Sequence, residues 1–211
     1  MRLYYPLFAK RIGQLAIVFV ATLLSAIAVN LFIECNIGSD TLTVLLDGLH
    51  KRLGISVGLA SFGLSIVFLA IGLWLNHKSI GSGSIMYCLL IGPSINWIHP
   101  FIADMDLSQL SLWTKISIVL LANICFSMTY VLLMNFSNGM YALDAVLRYV
   151  ESKFGLRYDI GRIGVDAVFF STGLFLGGVA GIGTIIAFAL TGPMTLLLEK
   201  MLLKCKKTLS F

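Results

Sequence analysis

Two opposite charges stand one helical turn apart inside an otherwise apolar part of the sequence. Arg162 and Asp166 interrupt residues 159–177, a run that is otherwise as apolar as a membrane span. A charged side chain near the centre of a span costs about 2.5–3.5 kcal/mol, so such residues usually face a partner or a cavity. The pair therefore has two interpretations. It is either a substrate-binding site or an ion pair that only locks two helices together.

Two short amphipathic segments carry the other candidate binding charges. Asp40 and Asp47 lie on one face of the first segment, and Asp144 and Arg148 lie on the matching face of the second. Asp144 and Arg148 are one turn apart on a helix and are predicted to pair directly. These faces predict either the polar lining of a gate or ordinary amphipathic helices that lie at the membrane headgroups.

A glycine–proline pair occurs in each half of the chain. Gly92-Pro93 and Gly192-Pro193 both fall about ten residues into an apolar stretch, near the expected midplane of the bilayer. Proline removes a backbone donor and kinks a helix, and matching Gly/Pro interruptions in two halves indicate a transporter site. Kinks that serve only helix packing are the alternative interpretation.

Catalytic motifs are missing from the sequence. The three histidines, His50, His77 and His99, lack the spacing of a metal-binding helix. No Gly-x-Ser-x-Gly motif, phosphate-binding loop or metal-ligand cluster is present. We therefore expect neither enzyme activity nor a cofactor, and a pump driven by its own ATP hydrolysis is excluded.

The composition indicates an all-α membrane protein that forms a single domain over residues 1–211. Hydrophobic residues make up 58% of the chain and charged residues only 12%, whereas soluble domains carry about 25% charged residues. The mean hydropathy is +0.95. The net charge of +5 comes largely from the chain ends, which indicates cytoplasmic anchors in the cell membrane rather than nucleic-acid binding. These terminal basic residues are Arg2, Lys10, Arg11, Lys200, Lys204, Lys206 and Lys207.

Six apolar stretches have the length needed to cross a bilayer, and with both basic termini inside they predict an even number of crossings. The predicted spans are residues 13–33, 57–76, 81–99, 114–135, 159–177 and 181–199.

The chain contains an internal repeat, with one copy over about residues 12–99 and the other over about 113–203. Glycines recur at a spacing of about 100 residues, so that Gly38 corresponds to Gly139 and Gly92 to Gly192. The segment Asp40–Leu53 is too short to cross a bilayer as a helix. Each copy is therefore predicted to cross three times, which inverts the second copy relative to the first. The alternative is a short helix that also crosses, which gives four crossings per copy and a parallel repeat.

The motifs of both copies resemble the YczE/YyaS/YitT group of bacterial membrane proteins, nearest the YczE-like members. The resemblance rests on GSDTLTVLLDGL, GMYALDAVLRYVESKFGL and GIGTIIAFALTGP and covers essentially the full chain. The second copy keeps the Gly-Ile-Gly-Thr turn at Gly181, whereas the first departs from it at Gly81-Ser-Gly-Ser. The resemblance implies this fold and a membrane location, but it implies little about chemistry.

Three functions follow from these observations. A small transporter or permease would bind its substrate between the two repeats, with Arg162 holding an anionic group and Asp166 or Asp144 taking up a proton. A non-transporting accessory protein would instead hold a partner enzyme or complex in the bilayer. A lipid-modifying enzyme has the least support. The short chain is also compatible with a homodimer.

Overall fold

The chain is all-helical over the residues that the structure, a computed structural model, describes. Those residues are 4–209, with the side chains of residues 11–158, 160–202 and 204. Its helices are α1 (Tyr4–Cys35), α2 (Thr41–Leu53), α3 (Val57–Asn76), α4 (Ser82–Ala103), α5 (Leu112–Phe136), α6 (Ala142–Phe154), α7 (Tyr158–Phe175) and α8 (Ile182–Leu209). Of the predicted terminal anchors, Arg2 and the side chains of Lys10, Lys206 and Lys207 lie outside the described residues.

Five helices in the described part of the chain are long and apolar enough to cross a membrane. They contain the segments Arg11–Cys35, Val57–Ser79, Ser82–Ala103, Leu112–Phe136 and Ile182–Leu202. Helix α7 coincides with the sixth predicted span, but its 18 residues include the three charged residues Asp159, Arg162 and Asp166, which take it out of this group. The protein therefore has several candidate spans, and the number six stays a prediction.

The short helices α2 and α6 lie between longer helices. Asp47 of α2 is 6% exposed and Asp144 of α6 is 8% exposed, whereas the last turn of each helix is exposed. Each helix ends at a glycine with φ 67°, Gly54 after α2 and Gly155 after α6. Glycine adopts this left-handed conformation without strain and so ends a helix cleanly. The polar faces of α2 and α6 are therefore not fully exposed to water. Both are partly buried helices with an exposed last turn.

The two halves of the chain, α1–α4 and α5–α8, are interleaved. Helix α1 packs along α5 at the centre, with α4 against α1 and α8 against α5. The short helices are exchanged between the halves, because α2 packs on α7 and α6 packs on α3. The glycine turns before α4 and α8 also hydrogen-bond to the opposite half. The Gly83 amide donates to the Asn138 carbonyl at 2.9 Å, and the Gly183 amide donates to the Ile37 carbonyl at 2.8 Å.

The apolar core has two main parts. The larger lies among α1, α4 and α5, where Phe32, Ile95 and Val119 are almost completely buried. The other joins the short helices to α7 through Leu45, Leu143 and Phe169. Burial of this second cluster fixes α7 against α2 and α6, and it therefore fixes where the charges of α7 point.

The halves differ in how their last two helices meet. Helix α3 packs closely on α4, and a methyl group added at Gly92 would lie 2.5 Å from the carbonyl oxygen of Gly58. In the second half, α7 and α8 make few contacts. A methyl group at Gly192 would have no atom within 4 Å. The second half is therefore open where the first half is closed.

Candidate functional site

A cavity of about 660 Å³ lies between α7 and α8. Helices α5 and α6 and the start of α2 complete its walls, so both halves of the chain contribute residues. Its apolar and aromatic wall includes Phe126, Tyr130, Met134, Tyr141, Ile163, Phe188 and Leu196. Its charged lining consists of Asp40, Asp144, Arg148, Arg162 and Asp166. Five of the six predicted binding charges are therefore brought to one place.

Arg162 is the centre of the charged network. Its Nε donates to Asp166 Oδ2 at 3.2 Å, and its Nη1 lies 3.4 Å from Asp144 Oδ1. Its Nη2 donates to the Tyr130 hydroxyl at 3.0 Å. A guanidinium presents its donors in a fixed fork, so three partners on three helices hold Arg162 in one orientation. The predicted pair of Arg162 and Asp166 is confirmed, and it is part of a larger cluster.

The two carboxylates beside Arg162 also bind neutral donors. The Thr41 hydroxyl donates to Asp166 Oδ1 at 2.8 Å, which joins the first half of the chain to the second. The Tyr158 hydroxyl donates to Asp144 Oδ1 at 2.8 Å. Charge-assisted hydrogen bonds of this kind are stronger than neutral ones. Together they preorganise a polar wall inside a largely apolar protein.

Asp40 contributes a third carboxylate to the cavity wall. It caps α2 and accepts hydrogen bonds from the backbone amide and the hydroxyl of Thr43. Burial raises the pKa of Asp40, and burial also raises the pKa of Asp144 against the opposing effect of the Arg162 charge. Both carboxyl groups therefore take up a proton at a higher pH than an exposed aspartate does.

Arg148 lines the cavity but is not paired with Asp144, so that sequence prediction is wrong. Its Nη1 donates to Glu151 at 2.9 Å, and its guanidinium lies 4.7 Å from the ring centre of Tyr158. Asp144 lies on the buried part of α6 and bonds to Arg162 instead. The i, i+4 spacing allowed the pair, but tertiary packing gave both residues other partners.

Asp47 does not line the cavity. Its Oδ2 accepts a hydrogen bond from the Val179 amide at 2.8 Å and lies 2.7 Å from Lys51 Nζ. Val179 belongs to the turn between α7 and α8. Asp47 therefore connects α2 to this turn. The sequence predicted Asp47 as a substrate-binding residue, but its position is a structural one outside the cavity.

The two glycine–proline pairs occupy different environments. Pro93 lies inside α4 and Pro193 inside α8, and both helices continue beyond the proline. Gly92 is packed against α3, whereas Gly192 lines the cavity. Only the second pair therefore lies at the candidate site.

A smaller cavity of about 20 Å³ adjoins the charged one and shares Phe126, Tyr130 and Tyr141 with it. Ser61 and Ser65, which line it, stand at the repeat positions of Arg162 and Asp166. A volume of this size holds about one water molecule. Arg162 and Asp166 therefore give the larger cavity a charged pair that the corresponding serines do not give the smaller one.

Three neutral partners in the cluster, Thr41, Tyr130 and Tyr158, were not among the predicted site residues. Each donates a hydroxyl or accepts a guanidinium hydrogen bond within the cluster. The one usable signal is that a buried tyrosine needs a partner for its hydroxyl, which marks Tyr130 within its apolar span but does not name the partner. Among the described residues, no group of three metal-ligating side chains is placed to hold a metal ion.

These features define a polytopic helical protein with several candidate membrane spans and one charged cavity between its halves. A model for a family of unknown function, DUF6198, matches residues 12–200, and the chain belongs to this family. No curated protein and no solved structure matches the chain. The family has no assigned activity, and the resemblance to YczE-like proteins stays a prediction.

Proposed function

We propose that the protein is a small-molecule transporter of the cell membrane whose substrate binds in the charged cavity. The observation that carries this proposal is the cavity of about 660 Å³ with Arg162, Asp144 and Asp166 in its wall. Small-molecule sites usually occupy about 300–1,000 Å³ and combine apolar walls with a few placed polar groups. Charges inside a membrane protein are costly and commonly mark substrate or proton pathways.

The proposed topology has six crossings, formed by α1, α3, α4, α5, α7 and α8. Helix α7 directs Arg162 and Asp166 into the cavity, so these charges avoid the lipid. Three crossings per half place the halves in opposite orientations, and the basic ends favour cytoplasmic termini. Helix α2 of the first half packs on α7 of the second, and α6 of the second half packs on α3 of the first. This reciprocal exchange of the short helices supports the arrangement.

The closed α3–α4 pair and the open α7–α8 pair support alternating access as the mechanism. If α7 closes on α8 while α3 separates from α4, the site becomes accessible from the other side of the membrane. Asp144 is placed to carry a proton during this exchange, because burial raises its pKa.

A cavity-filling substitution tests the proposal. Gly192→Phe places a ring in the cavity, where a side chain meets no atom within 4 Å at Cβ. Gly164→Phe is the matched control, since Gly164 has equal space but does not line the cavity. Proteoliposomes on a solid-supported membrane are tested with a panel of organic cations, anions and zwitterions. We expect solute-dependent currents that Gly192→Phe removes and Gly164→Phe keeps, and equal currents in all three proteins would rule out this cavity as the pathway.

The alternative is a non-transporting accessory protein. It is favoured by α8, whose apolar outer face is largely exposed and includes Ile185 at 71% and Leu197 at 55%. Such a face is suited either to lipid or to the helix of a partner. A partner that co-purifies at a fixed ratio, and whose activity is lost with this chain but not with Gly192→Phe, would favour the accessory role.

A further inference from the structure

Carboxylates outnumber cationic side chains in the cavity wall. Asp40, Asp144 and Asp166 face two arginines, Arg148 and Arg162. The positive charge of Arg148 is already matched by Glu151, which lies 2.9 Å from its Nη1 outside the lining. The remaining cation, Arg162, therefore stands against three carboxylates. The cavity is net negative when these groups are ionised.

Arg162 is not free to hold an anionic substrate. Both of its neighbouring carboxylates and the Tyr130 hydroxyl already bind its nitrogens. An anion bound to the two remaining N–H donors of Arg162 would lie beside Asp144 and Asp166, and like charges at this distance repel. Among the described residues, no donor reaches Asp144 Oδ2, although Asp144 is only 8% exposed and lines the cavity. That oxygen is available to a cation.

The rest of the wall suits an organic cation rather than a metal ion. Within the described part of the chain, the acidic side chains do not converge in a metal-ligand group. Aromatic rings instead surround the carboxylates, among them Tyr130, Tyr141 and Phe188. Such rings attract a cation over their faces. The guanidinium of Arg148, 4.7 Å from the ring centre of Tyr158, already makes this contact at the cavity edge.

The entrance to the cavity is apolar. Ile163 of α7 and Phe188 and Leu196 of α8 line it. The exposed fractions of these three side chains and of the nearby Ile160 are 54–70%. A gap between two membrane-spanning helices opens towards the acyl chains. A solute that passes through it carries apolar groups around its charge.

We infer that the cavity takes a hydrophobic organic cation, which enters from the bilayer between α7 and α8 and binds against Asp144 and Asp166. The inference rests on the proposed function because it names the substrate class of the same site. Arg162 then has the role of holding these carboxylates in place and limiting their repulsion in the empty cavity. This assignment replaces anion binding as its role.

Tetraphenylphosphonium and tetraphenylborate form a matched pair of probes, because they have nearly the same size and shape and opposite charges. Binding of each to the purified full chain is measured by equilibrium dialysis with equal detergent on both sides. We expect saturable binding of tetraphenylphosphonium and none of tetraphenylborate. Asp144→Asn and Asp166→Asn are expected to weaken cation binding roughly tenfold each. The exposed Asp104→Asn makes the same charge change away from the cavity and is expected to have no effect.

Arg162→Gln separates the two assignments of this site. If the substrate is a cation, removal of the competing guanidinium strengthens tetraphenylphosphonium binding. If the substrate is an anion, the same change abolishes tetraphenylborate binding. Saturable binding of tetraphenylborate alone would overturn the inference, and so would a cation affinity that is unchanged in both aspartate variants. If Arg162→Gln does not fold, the aspartate variants decide between the two assignments.

The binding assay does not depend on transport. Cation binding without solute currents would therefore refute only the transport proposal, and currents with anions alone would refute only the cation assignment.

Discussion

A single guanidinium organises the polar interior of this protein. Arg162 joins Asp144, Asp166 and Tyr130, and its side chain is 26% exposed. Breaking a fully buried ion pair by removing one partner costs about 3–5 kcal/mol, and exposed pairs contribute about 0–1 kcal/mol. The partial exposure of Arg162 places its contribution between these limits.

Arg162→Gln is therefore expected to destabilise the protein by roughly 1–3 kcal/mol, because it leaves the carboxylates without a counter-charge. Asp166→Asn is expected to cost less, since Arg162 keeps Asp144 and the amide still accepts the hydrogen bond from Thr41. Thermal unfolding in detergent measures both. The double variant is expected to be more stable than Arg162→Gln alone, and strictly additive losses would show that the pair is not electrostatically coupled.

The charged residues of the site could be predicted from the sequence, either from an apolar context or from the polar face of a short amphipathic segment. Arg162 and Asp166 were identified in the first way because the membrane makes such charges costly. Thr41 at the start of α2 and Tyr130 in α5 had no comparable signal, because neutral polar side chains are common at such positions. The pairing of Asp144 with Arg148 was wrong because local spacing does not show that α7 brings a second arginine to Asp144.

At the scale of elements, two glycines at the same repeat position have opposite roles. Gly92 lies in the tight contact between α3 and α4, and Gly192 faces the open cavity. Gly92→Ala is expected to destabilise the protein by about 1–3 kcal/mol, because the added methyl group forces the helices apart. Gly192→Ala is expected to leave stability unchanged or raise it by up to about 1 kcal/mol through helix propensity. Unfolding temperatures of the two variants provide the comparison, and equal losses would contradict the observed asymmetry.

The turns that lead into the short helices depend on glycine for a second reason. Gly38 and Gly139 have φ values of +99° and +107°, and a methyl group at either would lie about 2.5 Å or less from the facing glycine turn. Gly38→Ala and Gly139→Ala are therefore expected to reduce folded yield and unfolding temperature strongly. Gly54→Ala is the control, because it shares a positive φ but has open space around it. Its cost is expected to be about 1 kcal/mol.

The helices themselves could be predicted closely, whereas their partners could not. Each predicted span coincides with an observed helix, since long apolar runs and glycine turns mark helix bounds directly. The exchange of α2 onto α7 and of α6 onto α3 had no such marker. Periodicity identifies the buried face of a helix, but it does not identify the helix that covers that face.

For the whole molecule, asymmetry is the property that matters most for function. The repeat is not exact, because Ser61 and Ser65 line a cavity of about 20 Å³, whereas Arg162 and Asp166 line one of about 660 Å³. In the proposed transporter, two like-built halves would open on alternate sides while the charges of α7 stay in one place. The glycine spacing predicts duplication, but it does not indicate that α7 and α8 lie further apart than α3 and α4.

The orientation of the halves gives the last prediction. Leu53 and Phe154 occupy equivalent repeat positions at the ends of α2 and α6, and they are 60% and 71% exposed. In an inverted arrangement these ends face opposite sides of the membrane. Leu53→Cys and Phe154→Cys, each made in a Cys205→Ser background, are treated with a membrane-impermeant maleimide in intact spheroplasts and in inside-out vesicles. We expect one variant to react only in spheroplasts and the other only in vesicles. Reaction of both from the same side would mean that the halves run parallel, and alternating access between inverted halves would then have no structural basis.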